Sequence, residues 1–189
     1  MAQTEIILGI DPGLNHTGWG VVLRDGARLS YVASGTLHTK PATSTAERLC
    51  ELHNGLQVVV DTYKPQFVAV EAVYVNQNAR TSLVLGQARG IALLVPALAG
   101  LPVAEYTPSE IKKAIVGTGK AEKDQVGYMV KALLPLAKPD TADAADALGV
   151  ALCHAHIRQS PISAIPKAPK RQKGRAGWEA MLAGRLKTV

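Results

Sequence analysis

Four acidic residues lie in segments that are otherwise apolar. Asp11 ends the run IILGI, Glu71 follows FVAV, and Asp143 and Asp146 lie within the alanine-rich stretch TADAADALGVALCHA. A buried charge is costly unless it is paired or bound to a metal, so four such residues indicate a shared cation. Hard divalent ions such as Mg²⁺ and Mn²⁺ take oxygen ligands, and a carboxylate cluster that holds two of them is the usual apparatus for hydrolysing a phosphodiester.

The last two acidic residues are three positions apart, which places them on one face of a predicted helix. Acidic residues in a first helical turn are often simple caps of free N–H groups, and this alternative accounts for Asp140 and Asp143. It explains Asp146 poorly, because the positions around that residue are apolar on nearly every side. Small alanines would let this helix lie close to the sheet, which brings both carboxylates within reach of Asp11 and Glu71.

The net charge of +6 is unevenly distributed over the 189 residues. From Arg158 onward, eight basic residues are set against Glu179 alone, so the rest of the chain is close to neutral. Within that part, a run of lysines faces only Glu122 and Asp124; it consists of Lys112, Lys113, Lys120, Lys123, Lys131 and Lys138. A basic segment beside an acidic cluster suits a polyanion that brings its phosphate to metal ions, although a lysine run alone is more often a solvated helix face.

The hydrophobic pattern predicts a mixed α/β order of elements. A buried strand, EIILGID, precedes two strands joined at Asp25-Gly26, which is a turn signal for an antiparallel hairpin. Two more apolar strands follow, QFVAVEAV and LPVAEY. The predicted helices cover residues 45–63, 79–99, 108–116 and 121–134, and a last one starts after Asp140 or Thr141. An antiparallel meander plus parallel strands, with helices packed on both faces, is the expected architecture.

The chain has the length of one compact domain with a short appendage. We predict a domain over residues 1–158 and a tail over 159–189, whose prolines and cations favour a disordered linker with a possible short helix at 176–187. The N-terminus has no basic region followed by an apolar stretch, and the longest apolar run, IALLVPALAGLPVA, is too short and too broken to span a bilayer. A soluble cytoplasmic protein with no membrane contact is therefore the expectation.

Four blocks of the sequence resemble one known family in their order and spacing. They are ILGIDPGLNHTGWGVV, VAVEAVYVNQNARTSLVLGQARG, IKKAIVGTGKAEKDQV and DAADALGVALCHAH. From about Ile6 to His156 the chain is similar to RuvC, the bacterial Holliday-junction resolvase. The resemblance implies a ribonuclease-H-like fold, a homodimer, and Mg²⁺- or Mn²⁺-dependent cutting of two symmetrically placed strands at a four-way DNA junction during recombination and repair.

The resemblance also implies roles for individual residues. Asp11, Glu71, Asp143 and Asp146 match the acidic tetrad, which would hold two metal ions in each active site. Tyr74 occupies an aromatic position, usually Phe, that stacks on a base at the junction. Basic residues of the same blocks are expected to contact DNA; they are Arg80, Lys112, Lys120 and Lys123. The branch-migration proteins RuvA and RuvB are the implied protein partners.

Two further features stand outside the acidic cluster. Gly86 and Gly90, four residues apart in the predicted helix 79–99, suit close packing against a neighbour, which makes this helix the candidate dimer interface. His16 follows the first acidic strand and is able to contact DNA. A polar loop residue without a chemical role is the simpler interpretation of His16.

Two other classes of protein stay open at this point. An actin-like or sugar-kinase-like ATPase shares the sheet topology and an Asp-x-Gly turn, here Asp11-Pro12-Gly13, but it needs a second half with another glycine-rich loop. A junction-binding module without catalysis would be expected to lack one or more carboxylates, whereas all four are present. Nucleotide-free, metal-dependent DNA cleavage separates a resolvase from both alternatives.

Overall fold

A computed structural model describes residues 4–72 and 79–159. The described elements are β1 (Thr4–Asp11), β2 (His16–Asp25), β3 (Arg28–His38), α1 (Thr45–Tyr63), β4 (Phe67–Glu71), α2 (Ala79–Leu98), β5 (Val103–Tyr106), α3 (Pro108–Val116), α4 (Lys123–Leu133) and α5 (Ala142–Gln159). Their order is the one that the sequence predicts. The predicted tail covers residues 159–189, of which residues 160–189 lie outside the described part of the chain.

The strands form one mixed sheet in the order β3-β2-β1-β4-β5. The meander β1-β2-β3 is antiparallel, and β4 and β5 pair parallel to β1 and to each other. Because β1 and β4 are adjacent and parallel, their carboxyl ends lie at the same edge of the sheet. The paired residues Ile10 and Val70 place Asp11 and Glu71 next to each other at that edge.

Two apolar layers cover the two faces of the sheet, as the pattern predicts. One layer joins α3, α4 and α5 to the sheet through side chains such as Ile7, Ile115 and Leu148. The other joins α1 and α2 to the opposite face through Leu8 and Leu56. Alternate residues of β1 serve the two layers because successive strand side chains point to opposite faces.

The helix starts follow the capping signals in the sequence. Ser44 and Thr107 each accept a hydrogen bond from the backbone N–H three residues later, and a glutamate at that position closes a capping box. At α5 the hydroxyl oxygen of Thr141 accepts from the N–H of Ala144 at 3.1 Å. Of the two predicted caps for this helix, Thr141 therefore performs the role, and the acidic residues after it are not required for capping.

Helix α2 carries much apolar surface on its outer side. Leu83, Leu94 and Leu98 are 71%, 46% and 54% exposed, respectively. A Cβ atom added at Gly86 or Gly90 would meet no described atom within 4 Å. The described part of the chain therefore does not pack closely against these two glycines. This surface is available for a second molecule.

The same helix departs from one prediction. By length and composition alone, Thr81–Leu98 is apolar enough to cross a membrane, whereas the sequence analysis treated this region as too short and too broken. The helix continues through Pro96 rather than ending before it. Its inner side packs in the layer below the sheet through Ala88, Ala92 and Val95, as expected for a surface helix of a folded domain.

Candidate active site

The first half of the site is a carboxyl pair at the sheet edge. Asp11 is the last residue of β1 and Glu71 the last residue of β4, and both side chains are half-buried. The two carboxyl groups lie next to each other, and the charge of Asp11 raises the pKa of Glu71. Two neighbouring acidic groups disfavour simultaneous ionisation in the metal-free protein.

The second half of the site arrives on α5, which packs directly on the backbones of β1 and β2. A Cβ atom built at Gly18 would lie 2.0 Å from the backbone oxygen of Asp143, and one at Gly9 would lie 2.2 Å from that of Ala147. Sequence analysis recognised the small alanines of α5 but missed these strand glycines. Gly9, Gly18 and Gly20 recur at strand positions that share a face, and that spacing is the signal that predicts the contact.

This close packing brings all four acids to one end of the sheet. Asp11 pairs with Gly18 across β1 and β2, and Gly18 in turn lies against the backbone of Asp143. Asp146 lines a pocket together with Glu71. Asp146 therefore faces a pocket rather than the helix N-terminus, and the metal-binding role of the four carboxylates stays a prediction.

The electrostatics of the carboxyl pair follow from its burial. Burial raises the pKa of Glu71 well above the ordinary value of 4.5, and the Asp11 carboxylate beside it adds to the increase. Burial also raises the pKa of Asp11, although the hydrogen bond from Glu71 opposes the change. The charges of Asp143 and Asp146 raise the pKa of Asp11 further. Asp11 and Glu71 thus lie in a region that disfavours their charged forms.

Two of the predicted lysines lie beside the cluster. Lys123 and Lys112 line the same pocket as Glu71 and Asp146, a space of about 190 Å³. The ammonium of Lys123 donates to the carboxylate of Asp146, with 2.6 Å between Nζ and Oδ2. This hydrogen bond raises the pKa of Lys123, so its side chain is a cation. The Lys123 side chain is 71% exposed and therefore accessible to a substrate.

The oxygen-rich donor set fits a hard divalent cation. Carboxylates are the ligands that Mg²⁺ and Mn²⁺ prefer, and a bound cation would favour the charged forms of Asp11 and Glu71, which burial disfavours. Within residues 4–72 and 79–159, no three His, Cys, Asp or Glu side chains are already gathered as ligands of one ion.

The comparison with known families decides the assignment. The family model "Crossover junction endodeoxyribonuclease RuvC" matches residues 7–154, a range that holds all four acids. The chain belongs to the RuvC family. RuvC of Brucella anthropi is 55% identical over 164 residues, which cover 87% of this chain and 95% of the relative. RuvC of Rhodospirillum rubrum is 54% identical over 157 residues, which cover 83% and 93%.

Solved structures agree with this assignment. The structure described as "T. thermophilus RuvC in complex with Holliday junction substrate" has a TM-score of 0.77 and 34% identity, and covers 82% of this chain and 95% of that chain. The yeast mitochondrial Holliday junction resolvase Ydc2 has a TM-score of 0.58 at 11% identity, which shows a shared fold. The ribonuclease-H-like fold is therefore confirmed, and RuvC relatives match nearly their full length, which disfavours the ATPase alternative.

The other predicted DNA contacts divide into two groups. Lys120 lies in the turn between α3 and α4, is exposed, and is not among the residues that line the pocket beside Glu71. Tyr74 and the side chain of Arg80 lie outside the described residues, so their roles stay predictions. The structure thus brings Lys112 and Lys123 into the pocket beside Glu71 and Asp146, whereas the DNA contact of Lys120 stays a prediction.

Proposed function

We propose that the four acids are the catalytic centre of an endonuclease that resolves Holliday junctions by paired, symmetric phosphodiester hydrolysis. The observation that carries this proposal is the pocket that Glu71 and Asp146 line together with two lysines, beside Asp11 at the same edge of the sheet. A module that only binds junctions would gain nothing from a half-buried cluster of like charges, which is unfavourable for folding. Such an enzyme would act in the cytoplasm, where bacterial DNA lies.

The chain's own residues position the reaction. Asp11 and Glu71 would lose any bound proton and, with Asp143 and Asp146, hold two Mg²⁺ or Mn²⁺ ions. When bound, these ions supply charge neutralisation at the scissile phosphate and a nucleophile at neutral pH. The strand backbones fix the first pair of carboxylates and α5 fixes the second, so that the cation sites are set by two rigid elements.

Lys123 is placed to change partner during this reaction. In the metal-free protein its ammonium neutralises Asp146. If the Asp146 carboxylate held a cation, the Lys123 ammonium would be free to turn toward the pocket, where Lys112 already lies. Two ammonium groups beside the acids would then attract the phosphate and offset the negative charge that develops on it.

Paired cuts require two active sites, and α2 is the proposed dimer interface. Its exposed leucines and its open Gly86 and Gly90 form an apolar face that a twofold-related copy would cover.

We expect Leu83→Asp to convert the dimer to a monomer in sedimentation experiments and to replace paired cuts by single nicks. Leu136→Asp is the matched control, because Leu136 is 79% exposed but lies between α4 and α5. A Leu83→Asp protein that sediments like the wild type would contradict this interface.

The tail over residues 159–189 is proposed to grip the DNA arms. Arg158, the last residue of the predicted domain, donates to Glu5 at 3.0 Å, so its charge is not part of this tail. Truncation after Ser160 should leave catalysis intact but weaken junction binding and flatten the dependence of log affinity on log salt, because fewer counterions are released. An unchanged slope would show that the tail does not contact DNA.

RuvA and RuvB stay as partners that family membership suggests.

A further inference from the structure

The loop between β1 and β2 is held rigidly beside the acid cluster. The buried hydroxyl of Thr17 donates to the carbonyl oxygen of Gly13 at 2.6 Å. The buried hydroxyl of Thr39 donates to the carbonyl oxygen of Leu14 at 2.6 Å, and its backbone N–H donates to Asn15. A loop with this many internal and cross-strand hydrogen bonds presents its side chains in fixed positions, as a binding site requires.

Two histidines meet at the end of this loop. His16 opens β2 and His38 ends β3, and the two residues are register partners. Their Nδ1 atoms are 2.8 Å apart, and the exposed rings form an edge-on pair with 4.9 Å between centroids. One Nδ1 must donate and the other must accept, so the accepting ring is neutral and carries its hydrogen at Nε2. That ring therefore holds an N–H donor pointing away from the pair.

This donor lies on a side of the site that has no lysine among its lining residues. His16, Gly13 and Asn15 line a pocket of about 420 Å³ together with Asp143. The pocket beside Glu71, which holds Lys112 and Lys123, shares no lining residue with it. Arg48 donates to the side-chain oxygen of Asn15, which turns the amide N–H groups of Asn15 away from that contact. Neutral N–H donors are the groups available here for an anion.

We propose that the His16–His38 pair, supported by Asn15, binds a backbone phosphate next to the scissile one, on the Asp143 side of the site. This inference rests on the proposed junction-cutting function. A neutral donor suits this position, because an ammonium so close to Asp143 would pair with the carboxylate, as Lys123 does with Asp146. The pair is thus a positioning element that sets the path of the cut strand opposite the lysines.

Substitutions that preserve one ring nitrogen position at a time test the proposal. Glutamine retains an amide near the Nε2 position, whereas asparagine retains one near Nδ1, which keeps the pairing but removes the outward donor. We expect His16→Ala and His38→Ala to lower the cutting rate at subsaturating junction by about tenfold, as for loss of a hydrogen bond to a charged group. At the position whose ring supplies the outward N–H donor, glutamine should restore most of the cutting rate and asparagine should not. His53→Ala, on α1, is the control and should match the wild type.

Neutral methylphosphonate linkages identify the phosphate that is bound. Each phosphate that flanks the scissile one is replaced in turn, and at one of them the alanine variants should cut as fast as the wild type. Junction affinity measured with Ca²⁺ reports the same contact without cutting. The proposal would be overturned if His16→Ala and His38→Ala bound the junction as tightly as His53→Ala. It would also be overturned if the alanine variants cut more slowly than the wild type whichever phosphate is replaced. Failure of the wild type to cut any junction with Mg²⁺ or Mn²⁺ would instead count against the proposed function.

Discussion

Conversion of single carboxylates to amides abolishes junction cutting and preserves junction binding. The variants are Asp11→Asn, Glu71→Gln, Asp143→Asn and Asp146→Asn, and each should lower the single-turnover rate by roughly a thousandfold or more, because the charge that holds a metal ion is lost. Junction affinity should be unchanged or higher, since a negative charge that faces phosphate is removed. Cutting is measured on a labelled four-way junction. Normal cutting by Asp146→Asn would return that residue to a helix-capping role.

One of these substitutions, Glu71→Gln, should also stabilise the metal-free protein. The folded-state pKa of Glu71 lies above its ordinary value of 4.5. The free energy of unfolding is therefore highest below pH 4.5, where the group is protonated in both states, and it falls as pH rises through the raised pKa. Glu71→Gln should therefore melt several degrees higher than the wild type at neutral pH, since each pKa unit corresponds to about 1.4 kcal/mol and each kcal/mol to about 2–4 °C.

Two measurements separate this explanation from a general effect of the amide. The difference in melting temperature between Glu71→Gln and the wild type should nearly vanish toward pH 4, where the wild-type group is protonated. Addition of Mg²⁺ should raise the melting temperature of the wild type and reduce the difference at neutral pH. A difference that stays constant from pH 4 to pH 8 would show that the burial of these acids does not strain the fold.

Substitution of the strand glycines displaces the helix that carries the second pair of acids. In Gly18→Ala the new Cβ would lie 2.0 Å from the backbone oxygen of Asp143, and no side-chain rotation relieves a clash with backbone. We expect a loss of about 3 kcal/mol in the free energy of unfolding, measured in denaturant, and a large loss of cutting. Gly9→Ala, which meets Ala147 in the same way, should behave alike.

A glycine in open space provides the matched control. Gly127 lies inside α4, and an added Cβ there would meet no described atom within 4 Å. Gly127→Ala should therefore raise stability by about 0.5–1 kcal/mol, as expected for alanine in place of glycine within a helix. Equal stability of Gly18→Ala and Gly127→Ala would contradict the direct packing of α5 on β2.

Much of the fold was predictable because its signals are local. The capping boxes at Ser44 and Thr107 and the Asp25-Gly26 turn depend on neighbouring residues, and the elements that they bound were placed within a few residues. The four acids were recognisable because each stands in an apolar segment. Such a residue is conspicuous in any sequence, whatever its partners.

The remaining features depend on contacts between residues far apart in the sequence. Glu5 accepts hydrogen bonds from Arg24 and Arg158, and the guanidinium of Arg158 lies 3.7 Å from the ring centroid of Phe67, which anchors the far end of α5. No local pattern predicts a network that joins β1, β2, β4 and α5. The pairing of His16 with His38 was likewise missed, because it depends on the register between β2 and β3.

Mapping of the nicks in a synthetic four-way junction tests the central claim most directly. The junction is incubated with the wild-type protein and with Asp11→Asn, each with Mg²⁺, with Mn²⁺ and with a chelator but no nucleotide. The four-acid centre predicts symmetric nicks in two opposite strands with the wild type and a divalent ion, and none with Asp11→Asn or with the chelator. Nicks of equal yield with Asp11→Asn, or cutting that persists in the chelator, would contradict it.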